Sequence, residues 1–148
     1  MTKEVLIRIS GSHYIESDPE ADLLELIVPG EYYFRNGKHY LIYDEVMEEN
    51  MAPVHNVVKI ADKMMEITKN GDVGSKLHFE KNSKKMSKYT TPYGEMMVAV
   101  NTKDLHMKEE EHSLKVEVEY SLEINYEHVS DCRLVLDVSS RGETKLAL

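Results

Sequence analysis

Carboxylates, imidazoles and hydroxyls are plentiful in this 148-residue chain, but few stand where a reaction could use them. The most pointed is Glu45, which with Asp44 ends the apolar run Tyr40-Leu41-Ile42-Tyr43. Side chains alternate between the two faces of a strand, so Glu45 shares a face with Tyr43. If that face is an interior, Glu45 is a buried carboxylate that requires a cation or several donors. Lys59, on the next strand candidate, is the nearest partner in chain order. A Glu45–Lys59 pair is therefore predicted, either structural or anchoring a ligand. As a general base Glu45 lacks any recognisable companion, and a base alone is not a mechanism.

Other chemistry is harder to assemble. The seven histidines (His13, His39, His55, His78, His106, His112, His128) are scattered singly, without the His-x-His or His-Glu-x-x-His spacings that gather metal ligands. His39 and His55 could meet across neighbouring strands, but a third ligand is missing. Cys132 is the one cysteine and has no local activating base, so an inert thiol is expected. Nucleophile-elbow, P-loop and dinucleotide-binding glycine patterns are absent. The chain is therefore expected not to be an enzyme, with no catalytic residue, no metal and no cofactor.

Charge narrows the partners. Twenty-seven acidic against 18 basic residues give a net charge of −9, which repels phosphate backbones, so nucleic acid is not an expected partner. One cysteine excludes an intrachain disulfide framework, and no apolar run approaches the ~18 residues of a membrane span. A cytoplasmic protein without a membrane partner is expected. Lys76, Lys81, Lys84, Lys85 and Lys88 gather between Lys76 and Tyr89. The simpler reading is a solvated connection whose lysines discourage edge-to-edge association, and the alternative is an anion-binding patch. Lys108 to His112 reads as a solvated loop.

The elements that must position these groups are strands. From Leu114 to Tyr126 every even position is apolar and every odd one polar, the signature of a long strand with one wet face. Arg133 to Ser139 follows as its hairpin partner. Asn36-Gly37 and Asn70-Gly71 mark two further hairpins, because Asn-Gly supplies the two positive φ angles of a type I′ turn. With Glu4–Tyr14, Glu31–Phe34, Tyr40–Val46, Val54–Asp62, Met64–Thr68, Lys76–Phe79 and Glu95–Lys103, roughly nine strands are predicted. Only Pro19 to Ile27 looks helical, through Leu23, Leu24 and Ile27. No repeat or linker divides the chain, and a single domain over 1–141 with a flexible tail over 142–148 is expected. Such a meander must bury its apolar face against a second sheet or close on itself, and closure removes exposed edges. The expected fold is all-β, an antiparallel up-and-down barrel of roughly 8–10 strands, with a sandwich as the alternative. Nine tyrosines against two phenylalanines favour an interior with polar spots, since a buried hydroxyl needs a partner.

Tyr40-Leu41-Ile42-Tyr43-Asp44-Glu45, then Lys59-Ile60, then Tyr89-Thr90-Thr91-Pro92-Tyr93-Gly94 follow one another in an order that resembles the YwiB-like family of bacterial proteins of unknown function. The likeness runs from Ile7-Arg8-Ile9-Ser10-Gly11 to Leu134-Val135-Leu136. It implies a lipocalin-like, calycin-type barrel with no assigned activity. Architecture and resemblance together make small-molecule binding the first expectation. Tyr43, Tyr120 and Tyr40 would form walls, Lys59 or Arg8 would supply an orienting charge beside Glu45, and Tyr89, Thr91 and Tyr93 would aim hydroxyls at the mouth. The motif around Pro92 reads more simply as a strand-entry corner. The alternative function is a structural or interaction barrel, filled by its own side chains, that meets a protein partner or forms a homodimer.

Overall fold

A computed structural model describes residues 1–15, 18–46, 52–70, 74–91 and 93–141. Over 12–15, 18–24 and at Thr91 it describes the backbone alone. Ten strands follow in order: β1 (Glu4–Ile15), β2 (Asp18–Arg35), β3 (Lys38–Glu45), β4 (Val54–Ala61), β5 (Met64–Asn70), β6 (Ser75–Glu80), β7 (Ser83–Thr91), β8 (Gly94–Glu109), β9 (Ser113–Ile124) and β10 (Glu127–Ser140). They form one antiparallel sheet in the spatial order β6-β5-β4-β3-β2-β1-β10-β9-β8-β7. Strands adjacent in sequence are therefore adjacent in space, and β1 pairs with both β2 and β10, from Val5↔Ser140 to Tyr14↔Asp131 on the second side. The fold is all-β, a nearly closed up-and-down barrel. Among the described residues no helix is long and apolar enough to cross a membrane.

Closure is incomplete between β6 and β7. Among the described residues that junction carries one isolated antiparallel bridge, in which Gly74 and Thr90 exchange backbone hydrogen bonds of 2.9 and 2.8 Å. The Ser87 hydroxyl adds a bond to the Lys76 carbonyl at 2.5 Å. At the far end of the same junction the Asn82 N–H donates to Thr102 O at 3.0 Å. A second loosening lies just before Glu31 on β2 and after Ile42 on β3, because the β2–β3 ladder runs only from Arg35↔Lys38 to Glu31↔Ile42. Pro29 has no N–H with which to continue it. Gly30 lets the three strands come together there, since a Cβ at this position would lie 2.9 Å from the Ile42 carbonyl oxygen and 2.5 Å from Ile7 Cδ1.

Three expectations change. Pro19–Ile27 is not helical but part of β2, which also absorbs Glu31–Phe34. The Leu23-Leu24-Ile27 spacing suits a helix, but Leu24, Leu26 and Val28 also alternate, and pairing with Gly11, Ile9 and Ile7 of β1 decides between them. Lys76–Tyr89 is not a connection: the expected Lys76–Phe79 strand is β6, and Ser83–Thr91 adds β7, which raises the count to ten. Tyr126 does not continue β9, because Asn125 and Tyr126 form the β9–β10 turn with φ of 50° and 71°, and Tyr126 is 74% exposed. Asn36-Gly37 makes the predicted tight turn, with φ of 53° and 75°. The β5–β6 hairpin pairs from Met64↔Glu80 to Lys69↔Ser75, with Gly71 and the loop around it outside the described residues, as are 142–148.

The interior is packed at one end. Val5, Leu41, Val58, Ile60, Met65, Leu105, Leu114 and Val138 are buried towards the end that carries the β2–β3, β4–β5, β6–β7 and β8–β9 turns. His39 is buried there at 3% exposure. Its Nδ1 lies 2.7 Å from the Tyr32 hydroxyl and its Nε2 3.1 Å from Glu109 Oε1. A carboxylate only accepts, so in the neutral ring Nε2 carries the proton and Tyr32 donates to Nδ1. The exposed Tyr126 holds a left-handed conformation that favours glycine. Tyr126→Gly should therefore stabilise the fold by about 1 kcal/mol, measurable as a higher urea midpoint at unchanged m value.

Candidate functional site

Towards the opposite end the inner face carries smaller side chains: Gly11 on β1, Asn56 on β4, Ser75 on β6, and Ser130 and Cys132 on β10. Towards this end lies a cup of about 370 Å³, with Gly11 in its lining. Ile9, Leu26, Ile67, Leu77 and Leu134 give it apolar walls, and Phe79 against Tyr120, ring centroids 5.0 Å apart, closes one side of it. On the β2 side it is bounded by Leu26 and on the β3 side by Tyr43 and Glu45, the stretch where those strands no longer pair. Glu25 and Arg133 also reach its lining. Two larger concavities involve the outer surface: one of about 450 Å³ lies along Tyr33, Tyr40, Ile42 and Val57, and one of about 590 Å³ lies over the β2–β3 junction.

The polar feature of the cup is an ion pair. Leu41, Tyr43 and Glu45 face inward on β3, and Glu45 Oε1 receives the Lys69 ammonium at 2.8 Å. The two side chains are 19% and 27% exposed, so the pair is mostly withdrawn from water. The predicted partner is wrong: Lys59 lies opposite Tyr40 and Glu66, on the outer face. Chain order suggested Lys59, whereas parity with the buried Met65 and Ile67 is the signal that points to Lys69. Register sets Tyr43, Asn56, Lys69 and Ser75 opposite one another in turn, a polar row on the inner wall across β3, β4, β5 and β6.

Both cup tyrosines keep their protons. Burial, then the Glu45 charge, pushes the Tyr43 phenol well above its ordinary range. Burial, then Cys132, does the same to Tyr120, whose hydroxyl is hydrogen-bonded to the Cys132 sulfur. Cys132 is itself buried, with Ser130 Oγ 3.2 Å from its sulfur. Each phenol thus offers a neutral O–H rather than a nucleophile.

Of the nine candidate residues, Tyr43, Glu45 and Tyr120 meet in the cup. Arg8 is on the outer face, where its guanidinium binds Glu25 at 2.6 Å, and Tyr40 is outside next to Lys59. Tyr89 is half-buried on β7 away from the cup lining, and Tyr93 is 99% exposed at the β7–β8 turn. Thr91 pairs with Gly94 at the end of β7. His39 and His55 do not meet, because His39 faces inward and His55 is an outer residue 2.9 Å from Asp44. Among the described residues no three His, Cys, Asp or Glu side chains come together as a metal site.

The lysine-rich segment is electrically answered strand by strand. Lys76 meets Glu66 at 3.5 Å, Lys81 meets Asp104 at 3.3 Å, Lys84 meets Glu123 at 2.6 Å, Lys85 meets Glu80 at 3.9 Å and Lys88 meets Glu95 at 3.8 Å. These pairs are largely exposed and individually weak. They match the cations to β5, β6, β8 and β9 and leave no block of unanswered charge for an anion. At this junction Glu66 also lies 3.0 Å from His78 Nδ1. Burial alone would raise its pKa, but the His78 hydrogen bond and the Lys76 charge outweigh that and hold it below the ordinary 4.5.

The Glu66 contribution to stability is therefore complete above the unfolded pKa and is lost as pH falls through the lower folded value. Acid titration of the thermal midpoint should show this, and Glu66→Gln should flatten the decline below about pH 4.5. For the cup pair, Lys69→Met leaves Glu45 unmatched and should cost about 1–2 kcal/mol, reduced from the fully buried case by partial exposure. Adding Glu45→Leu should recover most of that loss, and a double-mutant cycle on urea midpoints measures the coupling.

Comparison with known proteins fits this geometry and adds no activity to it. The B. subtilis (strain 168) protein described as "Uncharacterized beta-barrel protein YwiB" is 24% identical over 127 residues, covering 86% of this chain and 88% of that protein. The crystal structure of the ywiB protein from Bacillus subtilis superimposes with a TM-score of 0.71 at 22% identity, over 95% of this chain and 94% of the other. Residues 7–136, almost the whole run of strands, match the family described as a domain of unknown function, DUF1934. A match of that extent includes every strand that builds the cup, and the chain belongs to the DUF1934 family.

Proposed function

We propose that this protein is a cytoplasmic, non-catalytic binder that encloses a small amphipathic molecule in the cup of a lipocalin-like barrel. The observation that carries this reading is the division of the interior: large side chains fill one half, while the other holds an apolar-walled cup of about 370 Å³ with an ion pair in its lining. An apolar cavity with a few fixed polar groups is the usual form of a small-molecule site. The ligand's apolar body rests on Ile67, Leu77, Phe79 and Tyr120, and its polar end meets Glu45 and Lys69. A non-catalytic role is supported by the protonated state of Tyr43 and Tyr120 and by the engagement of Glu45 with Lys69.

The rival reading, an interaction barrel that meets a protein partner or a second copy, draws on the outward groove of Tyr33, Tyr40, Ile42 and Val57. A neutral apolar fluorophore, N-phenyl-1-naphthylamine, separates the two. Saturable enhancement of its emission is expected, weakened at least tenfold when Leu26→Trp and Leu134→Trp together narrow the cup. No uptake by a folded protein, together with a dimer in light scattering that Val57→Lys dissociates, would establish the rival instead.

A further inference from the structure

The outer wall over β2, β3 and β4 differs from the outside of the barrel elsewhere. On β9 the outward positions are Lys115, Glu117, Glu119, Ser121 and Glu123, whereas on β3 they include Tyr40 and Ile42. Tyr33 stands opposite Tyr40 and Val57 opposite Ile42, and these four half-buried side chains line the groove of about 450 Å³. Apolar surface gathered on an outer face and rimmed by charge marks an interaction site.

The charges at this rim are themselves unusual. Most of the described lysines and arginines sit against a carboxylate, from Arg8 on Glu25 to Arg133 on Glu117. Lys3, Arg35, Lys38, Lys59 and Lys63 form no ion pair. Arg35 lines the groove, Lys38 is its cross-strand partner, Lys59 is the partner of Tyr40, and Lys63 lies in the β4–β5 turn. The Lys3 ammonium and the Arg35 guanidinium lie 5.5 and 5.8 Å from the centre of the Tyr33 ring. A π face positions a cation without neutralising it. Glu66, opposite Lys59, already holds Lys76 and His78 on its two oxygens, and Glu31 accepts the Tyr33 hydroxyl. In a chain of net charge −9, positive charge thus stays unanswered around one apolar groove.

From this we infer that the groove docks an acidic segment of another protein, an extended peptide in which carboxylates flank a large apolar side chain. The inference concerns the outer wall and holds whether or not the cup takes a ligand. Arg35, Lys38 and Lys59 stand on three successive strands, so the charge spreads over ~10 Å of wall. Lys3 and Lys63 extend it on the β1 and β5 sides. A lone small anion meets only part of that span, whereas successive acidic residues of a peptide answer the cations in turn. The apolar side chain of the peptide covers Tyr40 and Val57, and Tyr and Arg are the residue types that most often anchor such contacts. A second copy does not suit the groove, because a two-fold contact through it would set cation against cation. The acidic remainder of the surface repels an acidic partner and guides it to this wall.

Panning a phage-displayed library of random dodecapeptides on the full chain, followed by fluorescence anisotropy of the recovered peptides, tests this. The recovered sequences should combine several Asp or Glu with a Phe, Trp or Leu, and their binding should weaken as salt rises from about 50 to about 300 mM. Arg35→Glu with Lys59→Glu should weaken it at least tenfold at an unchanged thermal midpoint. Arg35→Gln with Lys59→Gln, a milder pair, serves if the first does not fold, and Tyr40→Ser should weaken binding without altering its salt dependence. Recovery of no peptide by the folded chain, recovery of neutral or basic sequences, or acidic peptides that the double variant binds equally well would each overturn the inference. Binding of a single-stranded oligothymidylate in place of any peptide would overturn it too, as would a dimer in light scattering that Tyr40→Ser dissociates, which would make this wall an interface between copies.

Discussion

What makes this sheet a barrel is the pairing of its first strand with its last. β1 lies between β2 and β10, and its ladder to β10 runs without interruption from Val5↔Ser140 to Tyr14↔Asp131. The inner face of β1 supplies Val5 and Ile7 to the packed half and Ile9 and Gly11 to the cup, and β10 answers with Val138, Leu136 and Leu134. Remove that ladder and both halves of the interior lose a wall at once. Parity follows from it as well, because a slip of one residue would turn every one of these side chains outward.

Alternation within a strand was legible from the residues alone. The long even-odd run through β9, the Asn36-Gly37 turn and the shared face of Tyr43 and Glu45 all follow from period two and turn chemistry. What stayed hidden depends on relations between strands. Lys59 was paired with Glu45 by nearness in sequence, although its parity on β4 points it outward, and Arg8 on β1 was misplaced in the same way. Lys69 needed the register of β5 against β4, which propensity does not encode. The Leu23-Leu24 doublet of β2 satisfies both helical and extended spacing, and only the presence of β1 alongside resolves it. Pairing chooses between readings that a single strand leaves level.

The interior separates two demands along one axis. At one end Leu41, Ile60, Met65 and Leu114 are fully or almost fully buried and His39 is held between Tyr32 and Glu109, with the buried Thr102 Oγ1 left without a partner among the described residues. At the other, small residues, a half-withdrawn ion pair and unpartnered atoms on Asn56 and Ser75 forgo packing and hydrogen bonding that an optimally stable barrel would make. Structures tolerate such local deficits where a site needs them, and compensate elsewhere.

The junction between β6 and β7 has a further consequence. It is the thinnest seam in the wall, and the chain crosses it directly through Lys81 and Asn82. Its two sides are therefore tethered, and parting them costs little chain entropy that must be recovered on closing. The β1–β10 ladder, by contrast, joins strands that only the whole fold brings together. Fluctuations of the barrel should accordingly concentrate at β6–β7 as brief, local and fully reversible excursions, with amide hydrogens there exchanging well before those of β1 and β10. The barrel can thus breathe on one side without beginning to unfold.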